Sequence, residues 1–496
     1  MNELELTFAK DRYQKNNLRK REQFRQYVYY SGDNYNMLRY LDEVLAVTYR
    51  MEEIKDMQKQ VVNITKKIVN QQSVVYSEPA LRKIKVGDVV NEDLTKYYRR
   101  IMPDNINTVD KTANRHANLS NVSLTHVLFS VNTGKFRFKV SPSYLFDADT
   151  DEEDNLSTVK YQKYAVIRGV EQVVTVVWTK NSHYYVDSFG NQISVSDDYK
   201  NDYEIITFAD FVVEQQPYYW GEGQNDLINV NEQVNFLLTK LINSDIISGT
   251  EGIPLFINLK ESILGMAEDD GTTKKIRLSR KRPIFADGVT KDDVLPDAKY
   301  INSTPYVKEI TEFVDWYIRL IANMKGLDPN RVLGKVQDTS DYQKIADLSE
   351  QIEIRRDTVD SARQYEQKRF NIVRTMNNMY YKNKQLQKKF DLKEIPEDCE
   401  LVVDFADLDI SKTVADKVLM RRHEAEFGIS TPVDWYLEKN PDVTKEIAEE
   451  EIKKNKEYTG SIIDMGGGKD TVRDFMNSFD KTNRESLPIN RGNSNA

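Results

Sequence analysis

Apolar residues recur at helical spacing in the first part of the chain. Met57, Val61, Ile64 and Ile68 step by 4, 3 and 4, which predicts a helix within a mostly helical stretch over residues 11–70. Ser73 to Tyr76 reads as extended, Pro79 closes that unit, and residues 105–119 predict another helix. From about 121 to 212 the period changes. Val127-Leu128-Phe129, Phe136 to Val140, Tyr164 to Ile167 and Val173 to Trp178 are short β-rich runs punctuated by Gly134, Gly169 and Gly190. They predict a largely antiparallel sheet and an α+β fold class.

Helical spacing returns over 225–247, where Leu227, Val230, Val234, Leu237 and Leu241 step by 3, 4, 3 and 4 before Gly249. Residues 250–303 are turn-rich, with strand-like runs at 254–259 and 275–278. A second amphipathic helix is expected from Pro305, with Thr304 as N-cap. Its stripe is Val307, Ile310, Val314, Tyr317, Ile321 and Met324, and Gly326 and Pro329 end it. Two helices of roughly 30–35 Å thus bracket a compact tip.

Lys335 to Ile395 lacks Gly and Pro and predicts one helix of about 40 residues. Its apolar face carries Ile345, Leu348, Ile352, Val359 and Ala362, with a gap near Arg355. Leu401 to Phe405 reads as a lone strand, and 412–458 as short helices. Thr431-Pro432-Val433-Asp434 has capping-box spacing, Asn440-Pro441 opens the next helix, and Glu450 and Lys454 form an i,i+4 pair. After Tyr458 a polar tail is expected.

Charge and composition change this picture in two ways. At 39% hydrophobic and 30% charged residues, the 496-residue chain is polar for a compact enzyme. That suits either a protein with long, thin, solvent-washed parts or one that buries surface mainly on assembly, and composition does not separate the two. The net charge of -9 argues against tight nucleic-acid binding over the whole surface. With a single cysteine, Cys399, no internal disulfide or Cys-based zinc site can form. No stretch is long and apolar enough to span a membrane.

Motifs of catalysis are missing: the sequence contains no nucleophile elbow, zincin helix, dinucleotide fingerprint or P-loop. No catalytic residue, metal site or cofactor is therefore assigned. The acidic run from Asp147 to Asp154 starts like a calcium loop, but Glu152 stands at the glycine position and Thr158 at the final glutamate position. It reads as a solvated loop. The basic run Lys274, Lys275, Arg277, Arg280, Lys281 and Arg282 places six cations in nine residues. Either it solubilises an edge strand, or it meets phosphates or an acidic partner.

Four motifs in order carry a family resemblance: Asn63 to Asn70 leading into Val75 to Pro79; Gly223-Gln224-Asn225-Asp226-Leu227; Gly326-Leu327-Asp328-Pro329 through Leu333-Gly334 to Ser340; and Gly428 to Thr431 with Asn440 to Val443. Over residues 30–458 the chain resembles the portal proteins of tailed bacteriophages of the long-tailed siphophage type. The resemblance implies a wing over 1–221, a first stem helix over 222–249 and a clip over 250–303. A second stem helix over 304–326 and a channel loop over 327–345, with Leu333, Gly334, Asp338 and Ser340, would follow. A long wing helix and strand (346–411), a helical crown (412–458) and a tail (459–496) complete it.

The resemblance also implies a ring, usually of twelve copies, at one vertex of the virion capsid, assembled in the host cytoplasm. Its implied partners are the terminase large subunit, a head-to-tail adaptor, the major capsid and scaffolding proteins, and double-stranded DNA passing through. Read from the residues alone, a different structural or scaffold protein and a metal-dependent enzyme stay open.

Overall fold

The computed structural model describes residues 17–167, 170–187, 190–193, 200–214, 216, 219–243, 253–257, 284–286, 297–301, 306–334, 341–405, 421, 424, 427–439, 443 and 445–465. The chain divides into two compact units, Met1–Leu408 and Asp409–Ala496.

The first unit opens with helices α1 (Asn17–Ser31), α2 (Asn34–Leu45), α3 (Met51–Asp56) and α4 (Thr65–Gln72). The expected helix through Met57, Val61 and Ile64 does not form. Residues 57–63 leave the helical path, because side chains from another helix take over main-chain hydrogen bonds of this segment, and Ile64 turns into the next helix. After β1 (Leu81–Val86) and β2 (Val89–Val90) come α5 (Glu92–Ile101) and α6 (Ile106–Ser120), the latter within a residue of its expected bounds.

Strands β3 (Val122–Phe129) and β4 (Phe136–Pro142) form the hairpin that the alternation around Gly134 implied. A Cβ at Gly134, which sits at φ +69°, would lie 2.5 Å from the Phe390 ring, so the turn and the packing both require glycine. β5 (Phe146–Thr150), β6 (Leu156–Ile167), β7 (Val170–Thr179), β8 (His183–Val186) and β9 (Gln192–Ile193) form an antiparallel five-stranded sheet in chain order. β10 (Phe208–Val212) joins the other edge of β3.

Helix α7 (Asn225–Lys240) is followed by β11 (Ile253–Ile257), β12 (Ile284–Ala286) and β13 (Asp297–Ile301). These three make a small mixed sheet: β11 pairs in parallel with β12 and antiparallel with β13. The run at 275–278 lies outside the described residues. Helix α8 (Val307–Met324) starts two residues after the expected Pro305, with Tyr306 at the N-cap position. Thr304 and Pro305 lie outside the described residues. α9 (Pro329–Leu333) is short, and α10 (Asp341–Tyr381) spans 41 residues, matching the Gly- and Pro-free stretch. α11 (Lys384–Phe390) and β14 (Cys399–Asp404) complete the unit.

The strand expected to be alone is paired: β14 runs antiparallel to β1, from Leu81↔Asp404 to Val86↔Cys399. Sequence spacing could not reveal a partner more than 300 residues away. The main core lies along α10. Val359, Ala362, Tyr365, Phe370, Val373 and Met376 pack against Ile84, Leu401 and Val403 of one sheet and Val127, Phe136 and Phe211 of another. The gap in the apolar stripe at Arg355 is also buried, and its guanidinium donates to the Phe405 carbonyl.

A buried ion network ties these layers together. Arg82 of β1 and Arg369 of α10 both donate to Asp110 of α6 and to Glu366 of α10. Burial opposes ionisation of Glu366, but the Arg369 and Arg82 guanidinium groups outweigh it and hold its pKa down to about 2. Two cations balance two anions here, and removing one would leave an uncompensated buried charge.

In the second unit, α12 (Pro432–Lys439) and α13 (Lys445–Met465) are helical. The capping box forms: the Thr431 N–H donates to Asp434 Oδ2 at 2.7 Å, and the Asp434 N–H to Thr431 Oγ1 at 3.3 Å. Lys454 pairs with Glu450 at 3.1 Å. α13 continues to Met465, past the expected start of a tail at Tyr458, and residues 466–496 lie outside the described residues. Asn440 and Pro441 lie outside the described residues.

Candidate functional site

Helices α7 and α8 form a hairpin. Its base is fixed where Lys325, just after α8, pairs with Asp226 in the first turn of α7 at 2.7 Å. The entry to α7 is equally constrained. Gly223 has φ +63°, and a Cβ there would come within 2.8 Å of the Leu119 carbonyl and the Ser120 backbone. The Gln224 N–H then donates to that Leu119 carbonyl at 2.9 Å. The Gly223-Gln224 motif thus seats the hairpin on the end of α6.

The facing stripes meet along most of their length, but Met324, expected on the inner stripe, is exposed. Leu227, Val230, Val234, Val314 and Ile321 are buried in one cluster, against which Leu237, Ile310 and Tyr317 pack. Leu241 is buried beyond that cluster. Val307, at the start of α8, is exposed and takes no part. The same cluster holds Ile68 and Val69 of α4 and Leu327 and Val332, so the segment after α8 is anchored on the hairpin's base. Leu333 is half-buried and Gly334 exposed. Asp338 and Ser340 lie outside the described residues, as do Lys274, Lys275, Arg277, Arg280, Lys281 and Arg282.

α7 is sheathed on its other sides too. Ile228 packs among Val28, Tyr29, Met37 and Tyr40, and Phe236 beside Leu41, Leu45 and Ile54. Glu232 accepts from Arg25 Nε at 2.8 Å. At 3.6 residues per turn, these three positions lie roughly opposite the face that meets α8. The extended segment 57–64 covers a further stripe. Asn231 Oδ1 accepts from the Ile64 and Thr65 N–H groups at 2.9 and 3.1 Å, and its Nδ2 donates to the Val62 carbonyl at 2.8 Å. Asn235 Oδ1 accepts from the Val62 N–H at 2.8 Å, and Thr239 Oγ1 from the Gln60 N–H at 3.0 Å. Asn243 both accepts from and donates to the Gln58 main chain, at 2.9 and 2.8 Å.

α8 differs. Beside its inner stripe it carries a second one, Phe313, Trp316, Leu320 and Met324, in steps of 3, 4 and 4. Their exposures are 49%, 53%, 39% and 66%. The Phe313 and Trp316 rings lie 5.5 Å apart and form a continuous apolar surface. A contiguous aromatic patch on a helix in water marks a contact surface. Sequence reasoning missed this stripe because it stopped at the first periodic face. The Phe-Trp-Leu-Met run at helical spacing was the available signal.

No protein-family model matches the chain, and no curated protein matches it. Solved structures do show likeness. A chain from the virion of a native gene transfer agent particle is similar at 10% identity and a TM-score of 0.35, covering 74% of this chain and 85% of its own. A chain from the neck of an empty gene transfer agent particle, computed with C6 symmetry, is similar at 10% identity and 0.36, covering 74% and 86%.

The acidic run is paired within the described residues. Of the acidic run, Asp147 pairs with Arg19 and Lys20, and Asp149 with Lys160. Asp151 accepts from the Glu153 and Asn155 N–H groups and closes a turn. Among the described residues, no three His, Cys, Asp or Glu side chains converge as a metal site. A small polar cleft beside Tyr219 and Ser361 contains Asp210, already held by Lys368 at 2.9 Å.

Proposed function

We propose that the chain is a portal-type subunit of a tailed-phage or phage-like particle. Copies close into a ring at one capsid vertex, and the DNA genome passes through the hole during packaging and ejection. The observation that carries this reading is the hairpin with one sheathed and one bare helix, joined to the four motifs that resemble portal proteins.

The bare stripe lies on α8, whereas Ile228 and Phe236, on the face of α7 turned away from α8, meet the N-terminal helices. The N-terminal side has its own exposed apolar residues, Tyr35, Val47 and Met51. A contact between two different patches of identical chains is heterologous, and it generates a closed ring when its rotation closes. In this reading α8 of one copy packs on the N-terminal helices of the next. The low apolar share of the single chain follows, because neighbours complete the burial. An acidic balance suits a channel that must pass DNA without holding it, since each phosphate contact adds affinity.

Residues 250–303 form the clip in this reading, where the terminase large subunit and then the head-to-tail adaptor dock. Capsid and scaffolding proteins meet the outside of the ring. Neutralising Lys274, Lys275, Arg277, Arg280, Lys281 and Arg282 together is expected to impair packaging or motor docking while rings still assemble. Unchanged packaging by that variant would exclude a role for the basic run.

Electron microscopy with mass photometry tests the reading as a whole. Closed rings are expected, with a hole of about 20 Å or more, wide enough for duplex DNA. A protein that stays monomeric at every salt concentration, with and without scaffold and capsid protein, overturns it.

A further inference from the structure

The segment 57–64 between α3 and α4 is held by a ladder of main-chain hydrogen bonds, with Met57, Val61 and Ile64 packed on neighbouring clusters and Lys59 paired with Asp42. Asn231, Asn235, Thr239 and Asn243 recur every four residues along α7, and the strap groups they bond recur every two. Four residues of helix rise about 6 Å and two extended residues about 6.6 Å, so the repeats stay in step over four rungs. No rung reads a strap side chain. The ladder is also incomplete, since Asn235 Nδ2 is buried with no partner.

The side chains of the strap describe another conformation. Ile54, Met57, Val61, Ile64 and Ile68 step by 3, 4, 3 and 4, and neither Gly nor Pro occurs from Met51 to Gln72. That is one face of a continuous helix. Held extended, the strap instead turns Lys59 and Asn63 inward beside Met57 and Val61, and leaves Val62 exposed. Where a local pattern contradicts the conformation that the fold imposes, the segment is either strained or functional.

We propose that this strap is a conformational switch: the asparagine ladder releases it, and α3, the strap and α4 join into one helix over residues 51–72. The inference stands on its own and does not depend on the portal reading. Release costs the ladder bonds and the 2.6 Å pair between Lys59 and Asp42, so the strapped form is the ground state of the single chain. Seven residues span about 23 Å extended and about 11 Å as helix, so joining draws α3 and α4 together by about 12 Å. α4 carries Ile68 and Val69 in the cluster with Leu327 and Val332, and Lys67 Nζ lies 3.8 Å from where a Cβ on Gly334 would be. Movement of α4 therefore acts on the segment that leads into residues 335–340.

Paired spin labels read the switch directly. Lys55→Cys and Lys66→Cys place labels on exposed sites of α3 and α4, in a Cys399→Ser background. The otherwise unaltered chain is expected to show one dominant long distance. Asn235→Leu with Asn243→Leu should add a population shorter by about 12 Å. Lys59→Pro in the same protein should remove it, because the Lys59 N–H is not a rung of the ladder while proline is excluded from a helix interior. Thr239→Val removes one rung at constant shape, and should give a smaller short population should the double variant fail to fold. A folded ladder variant with the long distance alone overturns the proposal, as does a short population that survives Lys59→Pro.

Discussion

The two helices of the hairpin have nearly the same length and opposite surroundings. α7 is wrapped by α8, the N-terminal helices and the strap, and Asn229, Gln233 and Lys240 form what it leaves exposed within the helix after Asp226. α8 covers one stripe and leaves Phe313, Trp316, Leu320 and Met324 in water. The difference teaches that apolar periodicity has two meanings. On α7 it reports the interior of this chain. On the second stripe of α8 it reports a surface that the described residues leave uncovered. Buried side chains on the first helix should govern folding, and exposed ones on the second should govern association.

The largest expected effect breaks that comparison at its bare side. Trp316→Glu with Leu320→Glu should abolish large assemblies while the monomer keeps its helical content, as read by mass photometry and circular dichroism. Desolvating two carboxylates in an apolar contact is prohibitive unless they are paired. Assembly that persists in this variant would place the proposed subunit contact elsewhere.

A smaller effect is expected on the covered side. Leu227→Ala should cost about 2–5 kcal/mol of stability through the cavity it leaves. Trp316→Ala should shift monomer stability by no more than about 0.5 kcal/mol. Denaturant unfolding below the association concentration measures both, and equal losses would mean that the two faces are equivalent.

The third effect sharpens the comparison by pH. None of the four histidines lies on either helix of the hairpin. His126 of β3 is buried, stacked on Phe208 at 4.0 Å, and near Lys139 and His183. Burial, then those neighbours, pull its pKa from 6.5 down to about 3. A depressed histidine favours the fold above its unfolded value and withdraws that support as pH falls below it. At pH 4 the loss reaches about 3 kcal/mol. Acid should thus loosen the sheet region first, seen as a pH-dependent midpoint that His126→Phe flattens. A midpoint unchanged between pH 7 and 4 would contradict the assignment.

Periodicity made the paired stripes of α7 and α8, the long α10, and the capping box at Thr431 readable from the sequence. Each depends on neighbours within a few turns. What stayed hidden depends on distant partners. The strap over 57–64 looks helical, because the groups that hold it extended are Asn and Thr side chains on α7, some 170 residues later. Arg355, Arg369 and Glu366 look like a polar interruption in α10 but are buried with counter-charges or a carbonyl. The second stripe on α8 was visible as spacing, but only burial distinguishes a core face from a bare one.

The pairing of β1 with β14 has a consequence for synthesis. β1 leaves the ribosome more than 300 residues before its partner. At roughly 5–20 residues per second, that is a delay of about 15–60 s. Asp110 and Arg82 wait through the same interval for Arg369 and Glu366. By the time this layer can close, α7 and α8 have already been made. The exposed stripe of α8 is therefore present on every nascent chain before the core that carries it is finished, and a chain that stops early shows that apolar stripe with no completed core behind it.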